Sequence, residues 1–173
     1  MMKGTVVLCL QELVEKRFGA EKWKQALLTA GLSEVRLFST LEDVSDEQVF
    51  ALAGIVSKTT KVPREGLREM FGEYWSNQYA PRIYGSYYRK AKTARDLLQN
   101  LDHIHTAMTN SMPGARPPRF KYHWTAPNVL TMHYESKRGL VGLMPGLIRG
   151  VGKYYNEALR VTVKDNSVSV RFP

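Results

Sequence analysis

What this chain lacks narrows the field first. Its 173 residues contain a single cysteine, Cys9, which excludes an intrachain disulfide and a paired-cysteine zinc knuckle and suits a reducing, cytoplasmic compartment. No apolar run approaches the roughly eighteen residues of a membrane-spanning helix. The opening "MMKGTVVLCLQELVEKRFG" breaks its short apolar stretch with Gln11, Glu12 and Glu15, so it does not read as a signal peptide and no membrane insertion is expected. Phosphate loops, nucleophile–base pairings and paired acidic motifs are missing, so catalytic turnover is not expected. Internal repeats and low-complexity tracts are missing too.

Acidic residues are the scarcer charge. Sixteen Asp and Glu face 25 Lys and Arg, a formal net charge of +9, and the resulting positive potential suits an anionic partner without saying which. The basic residues cluster in "APRIYGSYYRKAKTARDL", where Arg82, Arg89, Lys90, Lys92 and Arg95 stand among Tyr84, Tyr87 and Tyr88. Stacking on the rings with phosphate contacts from the cations would make this a nucleic-acid site. A solvated loop and helix face is the preferred reading, because no helix-turn-helix, zinc-finger or RNP signature accompanies the cluster.

The length fits one domain able to bury a core without a staple. Val6, Val7, Leu10, Leu13, Val14 and Phe18 recur at helical spacing and Gly19 closes the run, predicting a first helix. A second is predicted from about 21 to 30. "SDEQVFALAGIVSKTT" opens as a capping box, with Ser45 reaching the third amide and Gln48 reaching back. A further helix is expected from Pro63, and a long one from 92 to 112. After "PGARPP" the texture changes to alternating, aromatic and β-branched runs, "RFKYHWTA" and "NVLTMHYESKR", turning at Pro127-Asn128, then a helix from 139 to 159 and a hairpin around Asp165-Asn166. The expected class is α+β: a helical part, 1–113, and a part built on antiparallel strands, 114–173.

Within the predicted long helix, Ala94, Leu98, Leu101, His105, Met108 and Met112 follow spacings of three and four, so His105 sits on an apolar stripe while His103 turns to water. A histidine there can be a core residue with one satisfied hydrogen bond, or a ligand. Zinc would need three or four ligands, and His123, His133 and Cys9 lack ligand spacing. Haem needs only one axial imidazole, apolar surface for the macrocycle and donors for two propionates. "HYESKR" places Tyr134, Ser136 and Arg138 at alternating positions, and on a strand they would project from one face as two hydroxyls and a guanidinium suited to carboxylates. An exposed strand face has the same spacing.

"MKGTVV", "LDHIH" fitting an LDxxH pattern, "RPPRF" and "YESKR" fitting YxSxR occur in this order across essentially the whole chain. Together they resemble the haem nitric oxide/oxygen binding (H-NOX) domains, bacterial relatives of the haem domain of soluble guanylate cyclase. The resemblance implies a helical N-terminal part packed on a C-terminal part with a four-stranded antiparallel sheet, with haem b between them. It implies His105 as the iron ligand, Tyr134, Ser136 and Arg138 on the propionates, and Pro118 pressing on the porphyrin. Leu101 joins the cofactor-binding side chains, and Val6, Leu10, Trp75, Tyr79, Leu143 and Leu147 surround the sixth coordination position.

Members of that family that hold dioxygen carry a distal tyrosine where this chain has Leu143, so nitric oxide, with carbon monoxide as a second ligand, is the expected guest and dioxygen the excluded one. Tyr74, Trp75 and Tyr79 add an indole and phenols near the expected pocket. Release of His105 on binding would let the two parts rotate and present a changed surface to a signalling effector, such as a histidine kinase, a cyclic-di-GMP enzyme or a chemotaxis receptor. Gly142, Gly146 and Gly150 recur every fourth residue, as a helix-packing strip or, less readily, as a hinge. The competing reading is a basic nucleic-acid-binding domain without haem.

Overall fold

The computed structural model describes residues 1–173 and divides into two compact units, Met1–Leu67 and Arg68–Pro173. In the first, β1 (Met2–Lys3) leads into α1 (Thr5–Phe18) and α2 (Ala20–Thr29). Gly19 separates the two helices at φ 91°, a left-handed conformation that only glycine adopts cheaply. β2 (Asp43–Val44) pairs antiparallel with β1, a short ladder without any periodic signal in the sequence. α3 (Asp46–Thr60) is capped by Ser45, whose Oγ accepts from the Gln48 amide at 3.0 Å. The predicted return bond from Gln48 does not form, so the cap is half of the expected box. Val7, Leu13, Val14, Leu27, Leu52 and Val56 are buried to within about 1% of full exclusion, as the spacing of three and four requires.

The second unit begins within α4 (Arg64–Tyr74), which runs into a π-helical turn, Trp75–Tyr79, then α5 (Ala80–Ile83) and α6 (Gly85–Lys90). The wider turn frees a carbonyl, and the phenol of buried Tyr88 donates to the Ser76 oxygen at 3.0 Å, supplying the partner that the turn leaves out.

The predicted long helix from 92 to 112 is two helices, α7 (Ala94–Gln99) and α8 (Leu101–Ser111). Asn100, at φ −99° and ψ 1°, interrupts it. Its side-chain amide donates to the Asp96 carbonyl at 2.8 Å, the local competition that disfavours asparagine inside helices. The true start is a capping box in which Thr93 Oγ1 accepts from the Asp96 amide and the Asp96 carboxylate accepts from the Thr93 amide.

The sheet comprises β3 (Arg119–Ala126), β4 (Val129–Glu135), β5 (Arg160–Lys164) and β6 (Ser167–Arg171), all antiparallel in the order β3-β4-β6-β5. A 3-10 turn, Leu140–Leu143, and α9 (Met144–Tyr155) connect β4 to β5. Phe120, Leu130, Met132, Tyr134, Val168 and Val170 line the buried face. The α+β architecture and the four-stranded antiparallel sheet expected from the sequence are both present. No helix is long and apolar enough to cross a membrane.

The glycine strip of α9 packs helix on helix. A Cβ at Gly146 would stand 2.5 Å from the Glu69 oxygen, one at Gly150 2.6 Å from the Glu73 oxygen, and one at Gly72 2.6 Å from the Leu147 nitrogen. Arg149–Glu69 and Lys153–Glu73 ion pairs, at 2.8 and 2.6 Å, flank the seam. Gly142 stands apart, with only the Arg68 guanidinium near it at 3.6 Å.

Candidate functional site

His105 lies on α8, half-buried, with its Nδ1 2.7 Å from the carbonyl oxygen of Pro118. A carbonyl can only accept, so Nδ1 carries the proton and the lone pair resides on Nε2, which has no hydrogen-bond partner. That tautomer, with its far nitrogen tied to a backbone oxygen, is the arrangement of a metal-ligating imidazole. Burial pushes the His105 pKa below its ordinary value of 6.5, against the opposing pull of the Pro118 bond and the Asp102 carboxylate. The ring is therefore neutral near pH 7 and able to ligate. No group of three or more His, Cys, Asp or Glu gathers to hold a metal, so His105 stands as a single-imidazole candidate.

A second layer fixes that ring, and sequence reading gave its members no role. Asp102, in the first turn of α8, takes both nitrogens of the Arg119 fork, at 2.7 and 2.6 Å, and the Phe120 amide at 2.8 Å. Its own amide donates to the Tyr122 hydroxyl at 2.8 Å. The Arg119 guanidinium holds the Asp102 carboxyl down at about 2, and burial pushes the Tyr122 phenol up to about 12. α8 is thus bolted to the start of β3, the strand that follows Pro118. The available signal was an acid in the first turn of a helix and an arginine in "RPPRF".

Ring contacts continue the site into the sheet. His105 stands 5.7 Å from Phe120, and Phe120 meets Tyr134 edge-on at 6.0 Å. Tyr134 is buried on β4, but the strand ends at Glu135, so Ser136 and Arg138 do not share its face as alternation predicted. The chain turns there, closed by Gly139 at φ 61°. The Leu140 amide donates to the Tyr134 hydroxyl at 3.3 Å, the Arg138 amide to Ser136 Oγ at 3.3 Å, and the Arg138 guanidinium to the Arg116 carbonyl at 2.5 Å. Each of the three polar groups is thus tied to a backbone group of the segments that meet at this turn. Both hydroxyl oxygens act as acceptors from backbone, which leaves their hydrogens to donate elsewhere.

Leu101, Met108, Trp75 and Leu147 pack against the sheet core while remaining only half-buried. Leu143 closes the 3-10 turn, also half-buried. Trp75 stacks on Tyr79 at 5.6 Å, and the Arg82 guanidinium covers the buried Tyr79 ring at 5.2 Å. Tyr74 is buried. Val6 and Leu10 occupy adjacent turns of α1 in the first unit, Val6 half-buried and Leu10 buried. In the basic segment, Arg82, Arg89, Lys90 and Lys92 are exposed, but Tyr88 is buried and Tyr84 and Tyr87 are half-buried against the core. Rings turned inward do not offer a platform for bases.

A family model described as "Haem-NO-binding" matches residues 3–163. Two soluble guanylate cyclases of Caenorhabditis elegans, gcy-32 and gcy-34, are 25% and 24% identical over 156 residues. The match covers 88% of this chain and 23% of each cyclase, so the chain spans under a quarter of those relatives. Among solved structures, an oxygen-binding H-NOX domain related to soluble guanylate cyclases superposes with a TM-score of 0.82 at 25% identity, covering 99% of this chain and 95% of that one. A Cs H-NOX mutant carrying 4-cyano-L-phenylalanine gives 0.86 at 25% identity, covering 99% and 96%.

Proposed function

This chain belongs to the Haem-NO-binding (H-NOX) family of haem-based gas-sensing domains, and on that premise we propose that it senses nitric oxide at a ferrous haem b ligated by His105. The observation that carries the reading is the His105 imidazole with Nδ1 tied to the Pro118 carbonyl and Nε2 without a protein partner. Tyr134, Ser136 and Arg138, on β4 and the turn after it, would take the propionates with two hydroxyls and a guanidinium. Leu101 and Pro118, on either side of His105 in sequence, would contact the macrocycle. His105 would hold the iron, and the haem, when bound, would supply the coordination chemistry for a diatomic gas.

Leu143 decides the choice of gas. Bound dioxygen gathers negative charge and is favoured by a hydrogen-bond donor, whereas nitric oxide needs none, and an aliphatic side chain cannot donate. Val6, Leu10, Trp75, Tyr79 and Leu147 complete the proposed distal surroundings. Tyr79 lies under Arg82 and Trp75 stacks on Tyr79, contacts that hold both rings in place. Carbon monoxide is a second expected ligand.

The reading assigns the domain sensing without turnover, in the cytoplasm, with the response passed to an effector such as a histidine kinase, a cyclic-di-GMP enzyme or a chemotaxis receptor. The ligand acts only through its different interaction with the His105-bound and His105-released states. Absorption spectra of the ferrous protein alone, under air and with nitric oxide test this. The expected result is no stable oxygen complex and a nitric oxide complex that has lost the histidine. A stable oxygen spectrum would overturn the role given to Leu143.

A further inference from the structure

The outer face of the sheet carries a charge pattern that haem binding does not use. All of the net +9 resides in residues 68–173, which hold 16 Lys and Arg against 7 Asp and Glu, while residues 1–67 hold nine of each. Six of the seven acids of the second unit are occupied locally, and the seventh, Asp165, stands exposed in the turn between β5 and β6. Glu69, Glu73, Asp102 and Glu135 form ion pairs, and Asp96 and Glu157 accept backbone amides.

Arg160, Lys164 and Arg171 are left on the outer face of β5 and β6, all exposed and without ion pairs. Arg160 and Arg171 are direct cross-strand partners, an arrangement of like charges that costs stability. Around them the surface is hydroxyl-rich: Thr131 is hydrogen-bonded to Ser169 at 2.8 Å, and Ser167 to His133 at 2.7 Å.

We propose that this sheet face, centred on Arg160, Lys164 and Arg171, is a docking surface for an acidic protein element. Charge complementarity identifies the occupant, since opposed arginines lose their mutual cost when carboxylates sit over them. The face presents no aromatic ring of Phe, Tyr or Trp on which bases could stack, and no large apolar side chain to enter a bilayer. Arg160 and Lys164 lie about 13 Å apart along the strand, so the matching element carries carboxylates over a similar span.

The test uses the whole chain and a poly-L-glutamate peptide, followed by amide chemical shifts and by anisotropy. Shifts are expected at Thr131, Thr162, Ser167 and Ser169. The double substitution Arg160→Glu/Arg171→Glu is expected to weaken binding about tenfold, and Arg89→Glu/Lys90→Glu less than about twofold. Arg171→Glu alone turns the like-charged pair into an opposite one, so it should weaken binding while raising the melting temperature, a combination that unfolding cannot produce. Shifts confined to residues 82–95, unchanged binding by the first double variant, or stronger binding of single-stranded DNA or of phosphatidylserine vesicles would each overturn the proposal.

Discussion

Nδ1 of His105 and the carbonyl oxygen of Pro118 stand 2.7 Å apart across 13 residues. That bond selects the imidazole tautomer and ties the orientation of the ring to the segment leading into β3. Anything that moves this segment rotates the ligand, and anything that releases the ligand frees the segment. The Asp102–Arg119 fork fixes the same junction one helical turn earlier.

Removing that fork should give an acid-dependent loss of stability. The Asp102 carboxyl titrates near 3.8 when unperturbed and near 2 in the folded chain. A depressed folded value means that stability is present above about pH 4 and disappears as pH falls toward 2. With Arg119 about half exposed, solvent screening reduces the contribution to about 1–2 kcal/mol. Asp102→Asn should therefore unfold earlier in urea at pH 7, with the difference closing toward pH 2.

His105 gives a second pH signature of the opposite chemical type. Its folded value lies below 6.5, so the unfolded chain binds more protons as pH drops through that region, and stability declines there. Haem-free protein should lose thermal stability as pH falls below about 6.5. His105→Leu should flatten that slope, and an unchanged slope would place its source elsewhere.

Substitutions along the glycine strip of α9 and the 3-10 turn before it should separate close packing from open space. Gly146→Ala and Gly150→Ala place a methyl against backbone oxygens at 2.5 and 2.6 Å, an overlap that only a shift of the helix relieves, at about 1–3 kcal/mol. Gly142→Ala meets nothing closer than a guanidinium at 3.6 Å and should leave the melting temperature within a degree or two of the parent. Equal effects at all three positions would contradict the packing described.

Much of the fold was legible because its signals are short-range. The turn at Pro127-Asn128 and the hairpin at Asp165-Asn166 each lie within a few residues, and both stand where expected. What stayed hidden depends on distant partners or small backbone changes. Asn100 breaks a helix whose apolar spacing runs straight through it. The π-helical turn needs the Tyr88 phenol, 12 residues on, to satisfy Ser76. Alternation in "HYESKR" suggests a strand to Arg138, yet backbone pairing stops at Glu135. Asp102 showed no function until Arg119, 17 residues away, closed on it.

At the proposed gas site, Leu143→Tyr introduces the phenol that an aliphatic residue lacks. The ferrous variant is expected to form an oxygen complex in air that the parent does not. Absorption spectroscopy under air checks this, and identical spectra would remove Leu143 as the discriminating residue.

Whether one imidazole holds the haem is decided by the absorption spectrum of His105→Gly purified with and without imidazole. The variant should lose its Soret band without imidazole and regain it with imidazole. A variant that keeps the parent spectrum in the absence of imidazole would remove His105 as the iron ligand.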